Sequence, residues 1–231
     1  MLDVRKSSPA VAALRPSEYT AALIHAIRAE PSRVCGARVL EIGCGSGVVL
    51  AVLGGLGAVS LCGIDIERDA IATGQSLLRE LGHDAEIYQG DMWQPVSGRR
   101  FDLIVANLPH FPMDHFEISG RLSTWSSGGI DGRELLDPFL EGLSDHLGAN
   151  GRSLITHNAF VDVGRSRGIL ERHGLAMHIV KTVLVHIANE KIDLMTPSIL
   201  RAEEGSSLHR YGPHTFADMH IVEIAAAGTR G

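Results

Sequence analysis

The residues Val39-Leu40-Glu41-Ile42-Gly43-Cys44-Gly45-Ser46-Gly47-Val48-Val49 restrict this chain more than any other stretch. A short apolar run, fit for a buried strand, passes through three alternating glycines into a second apolar run. Glycine permits a tight turn and a close approach of backbone to a ligand, and a helix that follows presents unpaired N–H groups in its first turn. Strand, glycine turn and helix together open a layered α/β sheet with a ligand seated on the turn.

The chain beyond keeps that alternation. Ser17 caps a helix over Glu18 to Ile27 that Pro31 ends, and Arg38 to Ile42 is the first strand. Val48 to Leu56 reads as a helix, Ser60 to Ile64 as a strand ending at Asp65, and Asp69 to Leu81 as a helix closed by Gly82. Ala85 to Gln89, Leu103 to Ala106 and Ser153 to Thr156 read as strands, with helices over Arg133 to Leu147 and Val161 to His173. The pattern predicts a mainly parallel sheet covered on both faces, with ligands beyond the carboxyl ends of its strands. Val180 to Ile187 and Met219 to Ala225 are the last strands, parted by about thirty residues rich in charge, His and Pro, with a short helix over Leu194 to Glu204. No repeat, low-complexity tract or long linker divides the chain, so 1–231 is expected to be one domain, with an N-terminal helical segment at 1–35 and an insertion at 189–216.

Composition narrows the functions. A net charge of −6, from 21 Lys+Arg against 27 Asp+Glu, gives no general basic field, which disfavours nucleic acid as a partner. Cys35, Cys44 and Cys62 lie far apart without a CxxC pair, and the spacing of the 12 histidines matches no ligand set, so neither disulfides nor a metal is expected. A reducing cytoplasm is the expected setting. The start of the chain lacks an apolar signal core, and glycines break the apolar run Val48 to Ile64, so no membrane segment is expected.

Glycines after strand one and an acidic residue after strand two suit either a dinucleotide or another adenosine-containing ligand. The dinucleotide fingerprint is G-x-G-x-x-G, whereas here the spacing is G-x-G-x-G with Glu41 ahead of it. Glu41-Ile42-Gly43-Cys44-Gly45-Ser46-Gly47 resembles motif I of the class I S-adenosylmethionine-dependent methyltransferases. That resemblance implies a Rossmann-like α/β fold, a mostly parallel seven-stranded sheet with helices on both faces and an antiparallel C-terminal strand. It implies S-adenosylmethionine as cofactor, S-adenosylhomocysteine as product, and no metal. Asp65 with Ile66 then takes the ribose end, and Asp91 with Met92 the adenine end. Two carboxylates suit a ligand rich in hydroxyl and amine donors.

Asn107-Leu108-Pro109-His110 follows directly on the apolar strand Leu103 to Ala106. It resembles the N-[PL]-P-[YFW] motif of methyltransferases that modify a planar nitrogen. Such a nitrogen has a delocalised lone pair and needs its N–H groups held by acceptors. The Asn107 side-chain oxygen and the Leu108 carbonyl supply two, and Pro109 fixes the backbone. His110 stands where the family has a large aromatic; whether it stacks on the acceptor, serves as a base or does neither stays open, with Phe111 adjacent. Pro16-Ser17-Glu18-Tyr19-Thr20 and Ser127-Gly128-Gly129-Ile130-Asp131-Gly132-Arg133-Glu134 are similar to segments of the HemK-like release-factor glutamine methyltransferases. In that group the residue matching Thr20 lies near the methionine part of the cofactor.

The expected activity is therefore N-methylation, with a protein side-chain amide ranked first as acceptor, a small molecule second and a nucleic-acid base third. A non-catalytic adenosylmethionine-binding subunit is the alternative from another class. His157 is expected to be a satisfied polar residue at the cleft rim, Trp125 to pack or to line the cleft, and Arg210 with Tyr211 either to close over the acceptor or to form a solvated surface excursion. A second copy of the chain or an activator subunit stays open as partner.

Overall fold

The computed structural model describes residues 16–113 and 126–228. Among these the frame is a sheet of eight strands: β1 (Arg38–Ile42), β2 (Ser60–Asp65), β3 (Glu86–Gln89), β4 (Phe101–Ala106), β5 (Leu147–Asn158), β6 (Leu175–Ile187), β7 (Leu208–Tyr211) and β8 (His214–Ala226). Seven lie in the order β3-β2-β1-β4-β5-β8-β6, and β7 adds to β8. The neighbours among β1 to β5 pair in parallel, and β8 runs antiparallel to β5, β6 and β7. The expected mainly parallel sheet with an antiparallel C-terminal strand is present, and β7 is one strand more than the seven expected.

The helices are α1 (Glu18–Ala29), α2 (Val48–Gly55), α3 (Arg68–Glu80), α4 (Leu136–His146), α5 (Val163–Arg172), α6 (Asn189–Asp193) and α7 (Pro197–Glu203). One group, α1 to α3, packs in chain order, and α4 packs on α5. Covered on both sides, β1 buries Val39, Leu40, Glu41 and Ile42 in succession, as a central parallel strand must. From β1 the chain builds outward to β2 and β3, then returns to the other side of β1 with β4. The loops leaving β1 and β4 therefore part at their carboxyl ends, and a cleft opens between them.

Several expected boundaries move. The strand expected at Ser153 begins at Leu147, that at Val180 begins at Leu175, and that at Met219 begins at His214. The middle of β6, residues 178–182, is exposed on both faces at the sheet edge, so no hydrophobic alternation marks it. The helix expected from Arg133 starts at Leu136, because the Arg133 N–H is held in a turn by Asp131 Oδ1 at 3.1 Å. Asp162 caps α5 by accepting the Arg165 N–H at 2.9 Å, which sets its start two residues later than expected. Of the N-terminal segment 1–35, residues 1–15 lie outside the described residues, and α1 with a short 3₁₀ turn at Pro31–Arg33 makes up most of the rest.

The expected insertion at 189–216 folds into α6, α7 and β7, and β7 turns into β8 through Gly212-Pro213 with Gly212 at φ +63°. Asn158, the last residue of β5, pairs with Met219, so residues 214–218 of β8 project past the carboxyl edge of the sheet, by about 16 Å at the rise of a strand. This lobe is tied to the chain after β4: the Thr196 N–H donates to the Pro112 carbonyl at 2.9 Å and its hydroxyl to Ile130 at 2.5 Å.

Candidate active site

The glycine turn occupies one wall of the cleft. Gly43, Gly45 and Gly47 have φ of +71°, +50° and +76°, the left-handed region that other residues enter at a cost. At Gly47 there is a packing reason as well, since a Cβ there would stand 2.9 Å from the Gly74 Cα of α3. A Cβ at Gly45 would meet no atom within 4 Å, so the turn presents bare backbone to open space there. Cys44 is buried with its thiol toward Gly63, and burial pushes that thiol up; only its backbone faces the turn.

Asp65 closes the end of β2. Its Oδ2 accepts the Gly45 N–H at 2.8 Å and its Oδ1 accepts the Glu67 N–H at 2.9 Å, so the carboxylate is oriented by the turn and keeps lone pairs for other donors. Ile66 beside it is 65% exposed, an apolar surface without cover. The loop after β3 is brought alongside by the Gly90 N–H on the Asp65 carbonyl at 3.0 Å and by Gln89 Nε2–H on the Ile66 carbonyl at 3.3 Å. That loop carries exposed Asp91 and half-buried Met92, the latter the single non-glycine residue with positive φ (45°) among the described residues. Such backbone costs about 1–3 kcal/mol and collects at ligand sites.

Glu41 lies beneath the turn, 3% exposed, and its Oε2 has no hydrogen-bond partner. Burial pushes its carboxyl well above the usual range, against a hydrogen bond from the Leu50 backbone and with the charge of Asp65 adding to the rise. An orphaned buried oxygen, an unfilled backbone groove at Gly45, an oriented Asp65 and the bare apolar Ile66 form a donor set that fits a cationic, adenosine-containing cofactor.

The facing wall is the loop after β4. Leu108 reaches the turn, its Cδ2 standing 3.4 Å from where a Gly43 Cβ would be. Half-buried Asn107 is held on both sides: its Nδ2–H donates to Thr20 Oγ1 at 3.4 Å, and its Oδ1 accepts the Thr156 hydroxyl at 2.7 Å. Thr20 belongs to the capping box that starts α1 with Ser17. Pro109 is half-buried beside it. The structure thus brings Thr20, Glu41, the glycines, Asp65, Asn107 and Leu108 into one cleft.

Other expectations need correction. His110 is 4% exposed and turned inward, with Nδ1–H on the Leu108 carbonyl at 2.6 Å and Nε2 accepting the Asn158 N–H at 2.9 Å. With the ring buried and both nitrogens engaged, it neither stacks over an acceptor nor offers a free nitrogen as a base, and burial pulls its pKa down to about 4. Phe111 is buried edge-on against Phe160, with Lys191 over its ring, and is a packing residue. Arg210 pairs with Glu204, and Tyr211 lies edge-on to Phe216 in the projecting hairpin. Trp125 lies outside the described residues. His157 is a satisfied polar residue, as expected, but fully buried.

Thr156, Asn158 and Tyr19 are the residues that sequence reasoning missed. The signal was the polar run Thr156-His157-Asn158 at the carboxyl end of an apolar strand, the end at which such sheets bind ligands. Among the described residues no group of three or more His, Cys, Asp or Glu is placed to hold a metal ion, and no helix is long and apolar enough to cross a membrane.

Residues 39–122 match a family described as a methyltransferase domain. The chain is 32% identical over 114 residues to a protein of Methanocaldococcus jannaschii assigned as an N5-glutamine methyltransferase, covering 49% of this chain and 57% of that one. It is 32% identical over 146 residues to the ribosomal RNA small subunit methyltransferase C of Sodalis glossinidius, covering 56% of this chain and 41% of that one. It thus spans about half the length of these curated relatives. Among solved structures, the Mtq2–Trm112 complex of E. cuniculi, which methylates the eRF1 translation termination factor, superposes with a TM-score of 0.60 at 18% identity, over 93% of this chain and 98% of that one. Residues 39–122, which carry β1 to β4, are thus similar to a methyltransferase domain, and the sheet they belong to has the fold of such solved enzymes.

Proposed function

We propose that the chain is an S-adenosylmethionine-dependent N-methyltransferase acting on a planar –NH2 group, with a protein side-chain amide of the glutamine type as acceptor. The observation that carries this is Asn107, fixed between Thr20 and Thr156 at the end of β4, with Leu108 against the glycine turn. S-adenosylmethionine supplies an electrophilic methyl group, so the protein has to orient and desolvate an acceptor rather than build a covalent intermediate. Glu41, Gly43, Gly45, Asp65 and Ile66 would hold it, with Asp91 and Met92 at the adenine end.

The acceptor atoms can be counted. Asn107 Oδ1 has one lone pair on Thr156, and the Leu108 carbonyl has one on His110. One remains on each, which matches the two N–H donors of a primary amide or an exocyclic amine. Holding both N–H groups turns the nitrogen lone pair out of conjugation and toward the methyl group, the orientation that in-line transfer requires. A proton leaves the nitrogen after attack, when it is acidic, and no buried base is needed for it.

The net charge of −6 and the relative assigned as a glutamine methyltransferase favour a protein acceptor. The ribosomal RNA relatives support a second reading, a base exocyclic amine, which asks the same of Asn107 and Leu108. Transfer of labelled methyl from S-adenosylmethionine into a cell extract, divided into protease-treated and nuclease-treated halves, separates the two. Loss of label to protease is expected. Absence of S-adenosylmethionine binding in calorimetry, or full labelling by Asn107→Ala, refutes the reading.

A further inference from the structure

Position 110 carries an imidazole whose two nitrogens are both engaged inside the protein. A backbone N–H can only donate, so the His110 Nε2 that Asn158 reaches at 2.9 Å is the bare nitrogen, and Nδ1 carries the proton. That proton lies on the Leu108 carbonyl at 2.6 Å. The carbonyl belongs to the Leu108–Pro109 peptide, which has no N–H of its own, so its plane cannot be anchored from the donor side.

A second run of donors reaches Asn158 from the opposite side. The Arg133 guanidinium, a donor only, places Nη1–H on Ser166 Oγ at 2.7 Å and also donates to the Asp162 carbonyl and to Asp137. The Ser166 hydroxyl proton is then left for His157 Nε2 at 2.8 Å, and His157 Nδ1–H goes to the Asn158 carbonyl at 2.8 Å. Tyr19 O–H takes the Asn158 side-chain oxygen at 2.7 Å. Arg133, Ser166, His157, Asn158 and His110 are all buried, and the ring and hydroxyl protons along this run each have one destination.

We infer that His110 and Arg133 are positioning residues for methyl transfer: His110 holds the Leu108 carbonyl in its acceptor orientation, and Arg133, through Ser166 and His157, holds the Asn158 backbone that fixes His110. The inference rests on the reading that Leu108 accepts a substrate N–H. It also accounts for histidine at this position in place of a ring that stacks on the acceptor, since an aromatic hydrocarbon could not donate to the carbonyl. Among the described residues the groups facing His110 are His157, Tyr19, Arg133 and Lys191, none of them a carboxylate, and the two cations oppose a further positive charge. The neutral donor state therefore persists through the physiological range.

Two measurements on the whole chain test this. Long-range ¹H–¹⁵N correlation spectra should show His110 and His157 as Nδ1-protonated neutral rings, unchanged between about pH 5.5 and 9. An Nε2-protonated His110, or one titrating near 6.5, overturns the inference. Ser166→Ala leaves His157 Nε2 without its donor, so the Nε2 resonance of His157 should move while His110 keeps its tautomer; an unmoved His157 Nε2 resonance in that variant removes Arg133 from this run. In the extract-labelling assay, His110→Gln carries its amide to the ε position, toward the Asn158 N–H, and His110→Asn keeps its amide at the δ position, where its N–H can donate to the Leu108 carbonyl. His110→Gln should lose about tenfold or more of the methyl transfer and His110→Asn should recover most of it, with equal S-adenosylmethionine affinities in calorimetry. Equal activities of the two variants overturn this inference alone, whereas a wild-type chain that neither binds S-adenosylmethionine nor labels the extract overturns the proposed function with it.

Discussion

Two alanine substitutions in the same turn should fail for opposite reasons. Gly45 and Gly47 both sit at positive φ, so each variant carries the left-handed penalty of a side chain, about 1–2 kcal/mol. At Gly45 that is the whole effect on stability, because the added methyl meets no atom within 4 Å. At Gly47 the methyl would stand 2.9 Å from the Gly74 Cα and 3.3 Å from its carbonyl oxygen. Both partners are backbone, so α2 and α3 have to move apart, and overpacking of this kind adds about 1–3 kcal/mol. Denaturant unfolding of the ligand-free chain should therefore place Gly47→Ala about 2–5 kcal/mol below wild type and Gly45→Ala about 1–2 kcal/mol below it. Calorimetry with S-adenosylmethionine should reverse the order of harm. The Gly45 methyl projects into the groove where backbone must approach the cofactor, so affinity should fall by about tenfold or more, while folded Gly47→Ala should bind more nearly as wild type. Equal losses of stability, or full cofactor affinity in Gly45→Ala, would refute the assignment of this turn.

Further outcomes follow from the same geometry. Thr156→Val removes the hydroxyl from Asn107 Oδ1 with little change of shape; it should cost about 1–3 kcal/mol in unfolding and lower methyl transfer by about 10–100-fold without changing cofactor affinity. His110 and His157 have pKa values pulled down from 6.5 to about 4 and about 3, so the unfolded chain binds protons first as pH falls. The stability they contribute is complete above pH 6.5 and is lost on acidification through about pH 4 to 3; His110→Asn should flatten this slope by one proton's worth in pH-dependent unfolding. Glu41 is shifted the other way: the ligand-free protein should lose stability as pH rises above 4.5, and Glu41→Gln should remove that trend. A Cβ at Gly142 would lie 2.3 Å from Trp93 Nε1, so Gly142→Ala should break the stack of Trp93 on His146 and Phe139 and move its fluorescence to the red.

What the sequence disclosed follows the range of the forces involved. Gly43, Gly45, Gly47 and Asp65 were readable because positive φ and strand-end chemistry are local demands, met by residue type and spacing. Asn107 was readable for the same reason, as a polar residue closing an apolar strand. The bonds that hold it were not: Tyr19 meets Asn158 across 139 positions and Thr156 meets Asn107 across 49, and no periodicity relates such partners. The part played by His110 stayed open because an aromatic-like ring beside the cleft gives no sign of which way it turns until Asn158 is in place. The hairpin at β7 left a local mark, Gly212-Pro213, obscured by charged neighbours on an edge where both faces are wet.

The projecting lobe bears on how quickly an acceptor can be engaged. Closing a mobile loop over a ligand fixes backbone at about 1–2 kcal/mol per residue in each encounter. Here the flank is a paired hairpin, latched through Thr196 to Pro112 and Ile130, so that ordering is completed once, during folding. In the proposed reaction, an acceptor that enters past this lobe meets paired backbone and not a loop that must first be ordered. Speed of capture should then depend on the acceptor's own flexibility, and an extended loop of a partner protein would be held faster than the same amide on a compact surface.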